Sequence, residues 1–349
     1  MATDDDAGPT AQLPIRSNRD MESFDIVQTY YRLLGEDPDL TMPLAAIGAL
    51  IECIGASSAQ TVFETMDLVE TQSATLRARV PNPVPLAHGT EFFKQYLVQS
   101  LRQPGTSGHQ SFDRTRQHLV SNARLFAHRA KEQREKLADV ARRYIEDGDT
   151  IMTYGGSRAV ATLLERAAEP QQGSPKRRFK VIYVEHPTRL AESAKIVAAL
   201  RAKGVPVATI STDAVAYAMV KVQMVLVGAE AVFANGGILS RMGTLQIAAI
   251  AKEWGKKVYV AAEQHKFGAI NQTFPTTQFN IGVEQDVIVF HKGDDEKDNG
   301  RQQADRQAEK VPAVDPVDYT TPDFIEAFFC NHGVKSPRAV ESEIIDTLY

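Results

Sequence analysis

The sequence predicts an α/β protein, with an all-helical N-terminal domain followed by a Rossmann-like domain built on a mostly parallel sheet. Between residues 24 and 145, apolar residues recur at helical spacing in successive stretches. After Gly148, short β-branched apolar runs alternate with helical stretches, which is typical of a parallel sheet covered on both faces. We therefore predict a disordered tail over 1–20, a helical domain over 21–147 and a sheet domain over 148–349.

The helical domain is predicted to contain four helices and then a longer one that links it to the sheet. The second helix, Met42–Ile54, is apolar almost all round and is expected to be buried. Three prolines between residues 81 and 85 are expected to break the chain before the fourth helix. The long helix is predicted to begin at an N-cap, Ser111, and to end at Gly148. The remaining predicted helices cover about 24–34, Thr61–Val80 and the stretch from Phe92 to Leu101.

The sheet domain is predicted to contain five main strands, each followed by a loop and most by a helix. These strands are Thr150–Thr153, Lys180–Val184, Val205–Ile210, Val225–Val227 and Lys257–Ala261. Towards the C-terminus we predict a short strand at Val287–Phe290 and a mobile polar insertion over about 291–312. Two final helices are predicted, at about Asp323–Phe329 and Pro337–Leu348.

The composition argues against several classes of function. The 349 residues carry a net charge of −5, so the chain lacks the basic balance of a nucleic-acid-binding protein. Its eight His and two Cys residues form none of the short spacings that hold metals, and we expect no metal and no required cofactor. The first residues are acidic and polar, and no run of 18 apolar residues occurs. We therefore expect a cytosolic protein without a membrane segment.

The segment Val225–Thr244, VLVGAEAVFANGGILSRMGT, contains the strongest candidate site. Glu230 follows a predicted strand, where α/β sheets usually bind their ligands. A tight turn follows at Asn235, Gly236 and Gly237, and then come Arg241 and the start of a helix, which is a favourable position for an anion. This combination suits a small phosphorylated molecule. The alternative, which the segment alone leaves equally open, is that the glycines form ordinary turns and that Glu230 is a solvated acid.

Three further candidates also follow predicted strands. Backbone N–H groups and the side chains of Gly155, Gly156, Ser157 and Arg158 could bind phosphate, although the spacing matches no standard nucleotide-binding loop and a plain turn is the alternative. Asp213 is either a helix N-cap or a ligand of sugar hydroxyls, and Lys266 by itself is most often a surface lysine. Because the carboxyl ends of parallel strands meet at one edge of a sheet, we predict that these residues share one pocket.

Several of these segments resemble the regulatory subunits of eukaryotic translation initiation factor two-B. The matching motifs are VGAE…NGG…GT in Val225–Thr244, KKVYVAAEQHKF, VDYTTPDFI and SPRAVESEIIDTLY. Among those subunits the sequence is most similar to the alpha subunit, from about Phe24 to Tyr349. The same superfamily contains sugar-phosphate isomerases that act on ribose 1,5-bisphosphate and methylthioribose 1-phosphate.

The resemblance also implies that the isomerase chemistry is absent. The isomerases carry a cysteine where Gly155 stands and an aspartate where Glu230 stands, and this pair moves protons between the two reacting carbons. Glycine can do neither part of that work. The positions that match substrate-binding residues are retained, with an arginine in place of a lysine at one of them: Ser157, Arg158, Ala159, Ser240, Arg241 and Lys266. The alternative, an active isomerase, requires a functional cysteine from elsewhere in the chain.

For the whole protein, the resemblance implies a non-catalytic regulatory subunit of the guanine-nucleotide exchange factor for initiation factor two. Such a subunit forms a homodimer that joins two halves of the complex. It contacts the beta and delta subunits, and through them the gamma and epsilon catalytic subunits. The regulatory core senses the phosphorylated alpha subunit of initiation factor two. The pocket is then expected to bind a sugar phosphate or a nucleoside monophosphate such as AMP or GMP. A metabolite sensor outside translation is a second alternative.

Overall fold

A computed structural model describes residues 24–37, 39–101, 123–170, 177–268, 275–285, 287, 288, 290 and 315–342. The predicted tail over 1–20, the predicted insertion over 291–312 and the predicted N-cap Ser111 lie outside these residues. The described part begins with helices and continues with a sheet, so the predicted fold class is confirmed. The division into two domains at residues 147 and 148 stays a prediction.

The described residues of the N-terminal part form five helices: α1 (Ile26–Glu36), α2 (Met42–Ala56), α3 (Val62–Arg79), α4 (Pro83–Leu101) and α5 (Ala123–Ala141). The Asp25 carboxylate starts α1 by accepting hydrogen bonds from the backbone N–H groups of Val27 and Gln28. Helix α2 is buried among the others as its apolar sequence predicts, and Ile47, Leu50 and Ile51 have no exposed surface.

The start of α4 differs from the prediction. We expected the prolines at 81, 83 and 85 to keep the chain out of a helix, but the helix begins at Pro83. A proline in the first turn loses no hydrogen bond, because the N–H groups there have no partner within the helix. The fourth helix is therefore longer than predicted, and it includes Gly89 at its contact with α2.

In the part of the chain after residue 147 that the structure describes, ten strands and four helices follow. The strands are β1 (Thr150–Tyr154), β2 (Lys180–Val184), β3 (Val207–Ile210), β4 (Met224–Gly228), β5 (Ala231–Val232), β6 (Ile238–Arg241), β7 (Lys257–Ala261), β8 (Val317–Thr320), β9 (Ala327–Cys330) and β10 (Gly333–Lys335). The helices are α6 (Arg158–Ala167), α7 (Leu190–Ala202), α8 (Val215–Met219) and α9 (Thr244–Glu253). All five main strands predicted from the sequence are present.

The large sheet has the strand order β10-β9-β7-β4-β1-β2-β3, and every neighbouring pair is parallel except β9 and β10. Alternate residues of one strand enter different cores. Val225 and Val227 of β4 pack on one face of the sheet, and Met224 and Leu226 pack on the other. Both faces are therefore covered, as a parallel sheet requires.

The strand order reverses between β1 and β4. From β1 the chain adds β2 and β3 on one side, and then crosses to β4 on the other side. The loops that follow β1 and β4 therefore diverge and leave a crevice at the carboxyl edge of the sheet, where open α/β sheets bind ligands. This reversal positions the candidate site.

Strands β5, β6 and β8 form a separate antiparallel sheet beside that edge. The predicted tight turn at Asn235–Gly237 is confirmed, and it joins β5 to β6. Asp318 on β8 accepts hydrogen bonds from the backbone N–H groups of Gly243, at 2.7 Å, and Leu245, at 3.0 Å. The small sheet therefore caps the first turn of α9.

Three predictions near the C-terminus need correction or lie partly outside the described residues. The predicted helix Asp323–Phe329 is wrong, because a 3-10 turn at Pro322–Phe324 leads into β9. Phe328 and Phe329 are both fully buried, in the cores on opposite faces of the sheet, because successive side chains of a strand alternate between its faces. The described residues 287, 288 and 290 form no strand. The predicted final helix is described only to residue 342.

Gly89→Ala is expected to destabilise the protein. A β-carbon at this position would lie 2.6–2.8 Å from the Cβ, Cα and backbone oxygen of Pro43, so α2 and α4 would have to separate. Overpacking of this kind costs about 1–3 kcal/mol of unfolding free energy, measurable by urea denaturation. The matched control is Gly35→Ala in α1, where an added β-carbon has no neighbour within 4 Å and stability should hold or rise. Equal stability of the two variants would contradict the close helix contact.

Stability is also expected to depend on the protonation of Asp318. Burial raises the pKa of this carboxyl group from 3.8 to about 7, although hydrogen bonds from the backbone of Leu245 and Gly243 favour the ionised form. Because the pKa of Asp318 is higher in the folded state, the protonated carboxyl group contributes to the free energy of unfolding. This contribution is complete below the pKa of the unfolded state and is lost as the pH rises through about 7. The melting-temperature advantage of the wild type over Asp318→Asn should therefore shrink between about pH 5 and pH 8. An advantage that stays constant over that range would contradict this assignment.

Candidate functional site

A cavity of about 870 Å³ lies between the helical part and the carboxyl edge of the large sheet. On the helical side it is lined by residues of α1 and α2 and by the segment before α4, among them Tyr30, Thr41 and Asn82. On the sheet side it is lined by the loops after β1 and β4, by the start of α7 and by the end of β6. Its position matches the crevice that the strand order creates.

The loop after β1 contributes all four of its predicted residues to the cavity: Gly155, Gly156, Ser157 and Arg158. The first two have φ of 86° and 67°, a backbone region that favours glycine. Ser157 caps α6, because its Oγ accepts a hydrogen bond from the N–H of Val160 at 3.4 Å. A β-carbon on Gly228, at the end of β4, would lie 2.2 Å from that Oγ, so the two loops meet closely.

Arg158 connects the glycine loop to the helical part. Its Nη1 donates a hydrogen bond to the backbone oxygen of Leu40 at 2.8 Å. Burial lowers the pKa of this guanidinium, and the nearby charge of Arg134 lowers it further. An arginine remains cationic in spite of such shifts, so Arg158 supplies positive charge to the cavity wall.

Glu230 lies in the cavity, on the loop after β4, as predicted. Its Oε2 accepts a hydrogen bond from Asn82 Nδ2 at 2.8 Å, across the boundary between the sheet and the helices. Burial raises the pKa of Glu230, and it outweighs the opposing effects of Arg241, Lys266 and the Asn82 hydrogen bond. Sequence reasoning missed Asn82, because it belongs to the segment before α4, 148 residues away.

Lys266 also lines the cavity, but a carboxylate already accompanies it. Its Nζ lies 2.7 Å from Glu263 Oε2, and Glu263 Oε1 lies 3.0 Å from Nε of Arg134 on α5. Glu263 has no exposed side-chain surface; burial raises its pKa, but Lys266, His265 and Arg134 together hold it well below the ordinary value. Only part of the charge of Lys266 is therefore available to a ligand.

Arg241, at the end of β6, has two acidic neighbours. Its guanidinium lies 3.5 Å from a Glu192 oxygen and 3.6 Å from an Asp315 oxygen. Asp315 also accepts hydrogen bonds from Thr188 Oγ1, at 2.7 Å, and from Arg189 Nε. Burial alone would raise the pKa of Asp315, but these two hydrogen bonds and the charges of Arg189 and Arg241 keep it below the ordinary value. Asp315 is therefore an anion at neutral pH.

Sequence reasoning missed the two acids beside Arg241. Glu192 lies in the first turn of α7, just after the loop that follows β2, so its proximity to a strand end was a usable signal. Asp315 follows the predicted polar insertion, and no local pattern marks it. It reaches the cavity because β8, which begins two residues later, pairs with β6.

Four predicted pocket residues lie elsewhere. Asp213 is exposed in a 3-10 turn after β3. Asn235, Gly236 and Gly237 form the turn between β5 and β6, and Asn235 donates a hydrogen bond to the Tyr319 hydroxyl at 2.7 Å. The turn packs against β8 and so lies outside the cavity lining.

The N-terminus of α9, which we expected to attract an anion, has a protein partner. The Asp318 carboxylate already accepts hydrogen bonds from the first N–H groups of this helix. The acceptor that suits a helix N-terminus is therefore supplied by β8, although Thr244, the first residue of α9, lines the cavity together with Ser240 and Arg241.

The cavity lining contains neither cysteine of the chain. Cys53 is buried on α2 and Cys330 is buried on β9. Among the described residues, no group of three or more His, Cys, Asp or Glu side chains is arranged to hold a metal ion. Within the same residues, no helix is both long and apolar enough to cross a membrane.

Comparison with known proteins identifies relatives of two kinds. The chain is 30% identical over 328 residues to the translation initiation factor eIF2B subunit alpha of Dictyostelium discoideum, covering 93% of this chain and 97% of that protein. It is 26% identical to the subunit of the same name from Caenorhabditis elegans, covering 92% and 97%. It is also 29% identical to the ribose 1,5-bisphosphate isomerase of Archaeoglobus fulgidus, covering 78% of each.

The fold has solved counterparts. The structure matches a chain of the tetrameric eIF2B-beta2-delta2 complex from C. thermophilum with a TM-score of 0.67, at 20% identity and with 94% of each chain covered. At this identity the likeness shows the fold. The family model described as the initiation factor 2 subunit family matches residues 35–337, which is most of the sequence. The chain therefore belongs to the initiation factor 2 subunit family.

Proposed function

We propose that the chain is a non-catalytic regulatory subunit, of the alpha type, in the exchange factor for translation initiation factor two. We further propose that its cavity binds a sugar phosphate or a nucleoside monophosphate. Full-length similarity to the eIF2B alpha subunit of D. discoideum supports the first part, because 97% of that protein is covered. The position, size and charge of the cavity support the second part.

The geometry at Gly155 carries the non-catalytic assignment. By the resemblance, this is where the isomerases hold their cysteine, and the residue lines the cavity together with Glu230. A β-carbon here would fit, since its nearest neighbour would be Arg241 Cβ at 3.8 Å, but φ is 86°. Holding a side chain in that backbone region costs about 1–3 kcal/mol, so this loop favours glycine. Glu230 therefore has no thiol partner in the cavity.

The side chains that line the cavity support a phosphate monoester as its ligand. Its cations include three guanidinium groups, from Arg158, Arg189 and Arg241, whose planar donors suit phosphate oxygens. Ser157 and Thr188 add hydroxyl groups, and a volume of about 870 Å³ accommodates a sugar phosphate or a nucleotide. Tyr30, Tyr31 and Met42 provide an apolar wall for a base or a sugar face.

An apolar surface on the sheet side supports a homodimer. Tyr217 on α8 is 87% exposed, and Val220, the residue after the end of this helix, is 59% exposed. Large apolar side chains that lie exposed beside each other commonly mark a protein interface. In the proposed role, the dimer joins two halves of a complex that contains the beta, delta, gamma and epsilon subunits. The assembled regulatory core then senses the phosphorylated alpha subunit of initiation factor two.

A second candidate function is sugar-phosphate isomerisation. The similarity to the A. fulgidus ribose 1,5-bisphosphate isomerase favours it, and so does Glu230. Burial raises the pKa of this carboxyl group above its ordinary value, which is the direction that proton transfer at neutral pH requires of an acid. The two candidates predict different outcomes when a sugar phosphate is added to the protein.

The purified chain is expected to bind AMP or a hexose 6-phosphate without converting ribose 1,5-bisphosphate or methylthioribose 1-phosphate. Binding and turnover can both be followed by phosphorus and proton NMR. Arg241→Gln should weaken binding about tenfold or more, because it removes a guanidinium from the phosphate site. Exposed Lys221→Gln is the control and should bind like the wild type. Turnover at an enzyme-like rate would establish the isomerase instead, and unchanged binding by Arg241→Gln would contradict the site.

The regulatory role is tested by nucleotide-exchange assays on the complex reconstituted with and without this chain. With it, the phosphorylated factor should slow exchange more strongly, and light scattering of the isolated chain should give twice its mass of 38.4 kDa. Tyr217→Glu should abolish both effects, because a charge on the apolar surface prevents dimerisation. Phe63→Glu, at an 81% exposed apolar position on α3, is the matched control. Exchange that responds equally with and without the chain would contradict the regulatory role.

A further inference from the structure

The carboxylate of Asp315 lies between two cationic side chains that line the cavity, those of Arg189 and Arg241. Asp315 Oδ1 accepts the hydrogen bond from Thr188 Oγ1 at 2.7 Å, and Oδ2 lies 2.5 Å from Arg189 Nε and 3.6 Å from Arg241 Nε. The Asp315 side chain is only 12% exposed. Two guanidinium groups and a hydroxyl group thus surround one acidic group at the wall of an open cavity.

The same donors would suit a phosphate monoester, which carries more charge and more acceptor oxygens than a carboxylate. The contact with Asp315 leaves at least one of these hydrogen-bond donors without an acceptor. Arg241 Nε is buried, and among the described residues it has no hydrogen-bond partner, since both of its acidic neighbours lie at 3.5–3.6 Å from the guanidinium. A buried N–H without a partner is unfavourable, and a ligand oxygen at this position would satisfy it.

We propose that Asp315 is an internal anion that competes with the phosphate group of the ligand for Arg189 and Arg241, and that it thereby sets the affinity of the cavity. This inference rests on the proposed phosphate-binding function. Two anions cannot share this partly buried pair of cations without strong repulsion. The ligand therefore binds with its phosphate in place of the Asp315 carboxylate.

The backbone around Asp315 allows this exchange. Pro316, the next residue, accepts a hydrogen bond from the N–H of Met242 at 2.9 Å, and Val317 is the register partner of Arg241 in the β6–β8 pair. These contacts hold the backbone beside the cation pair whether or not the carboxylate is engaged. Rotation of the Asp315 side chain is sufficient to release the two arginines, while β8 stays in place.

Asp315→Asn tests this competition. Asparagine keeps the size of the side chain and an oxygen that can accept the Thr188 hydrogen bond, but it removes the charge. Isothermal titration of the full chain compares the wild type, Asp315→Asn and a control, Asp323→Asn, which changes an exposed acid on the 3-10 turn before β9. The titrants are AMP, adenosine and inorganic phosphate. Asp315→Ser provides a second neutral variant if the first does not fold.

We expect Asp315→Asn to bind AMP about tenfold more tightly than the wild type, since coupling energies of close charge pairs are commonly at least as large as a tenfold change in affinity. Inorganic phosphate should also bind Asp315→Asn more tightly than it binds the wild type. Adenosine, which has no phosphate group, should bind the wild type and the variant equally. The control should bind all three compounds like the wild type.

The outcomes separate this inference from the function on which it rests. If the wild type and Asp315→Asn bind AMP equally well, the inference is overturned and the proposed pocket remains. An equal gain for AMP and adenosine also overturns it, because the variant would then have changed the shape of the cavity. Binding of AMP by the neutral variants alone supports it. If no variant binds any phosphate compound, both the inference and the proposed ligand class are overturned.

Discussion

The cavity depends on a buried ion pair that fixes the helical part to the carboxyl edge of the sheet. Glu263 follows β7 and lies between Arg134 on α5 and Lys266, with no exposed side-chain surface. Removing one partner of such a pair would leave a buried charge uncompensated, which costs about 3–5 kcal/mol. The hydrogen bond between Thr41 and His265 crosses the same boundary at 3.0 Å. The wall formed by α1 and α2 thus keeps a defined position over the strand ends.

The charges of the cavity are closely balanced. Arg241 has Glu192 and Asp315 beside it, and Lys266 has Glu263. An anion that bound here would compete with these carboxylates for the cations, which would lower its affinity relative to a site with unpaired arginines. Such a site would also discriminate by geometry, since a ligand must satisfy donors that the protein already partly satisfies. In the proposed regulatory role, such a site would change its occupancy with the concentration of the ligand.

Proteins of different function are related to this chain. Relatives of this chain include isomerases and initiation factor subunits, and all of these proteins share its general architecture or a large part of its sequence. In this chain the loop after β1 has a glycine at φ 86°, a backbone region that favours glycine over residues with a side chain. Function in this fold is decided by the loops at the carboxyl edge, because the sheet only positions them.

The sequence by itself determined the mostly parallel sheet and the residues at its strand ends, whereas the order of the strands came from the structure. Hydrophobic periodicity is local, and the carboxyl ends of parallel strands converge, so the loop at Gly155–Arg158, Glu230, Arg241 and Lys266 could be placed together in advance. Their role as ligand-binding residues stays a prediction. The turn at Asn235–Gly237 was identified as a turn, but its distance from the cavity was not foreseen.

Only the tertiary structure decided the partners of these residues. The contact of Asn82 with Glu230 spans 148 residues, and that of Arg189 with Asp315 spans 126. Burial also overrode local preference in β9, where two phenylalanines enter cores on opposite faces of the sheet. Such contacts arise when distant segments pack together, and they leave no periodic pattern in the chain. Hydrophobic periodicity therefore predicted where the candidate site lies, and tertiary packing determined which charged side chains surround each other there.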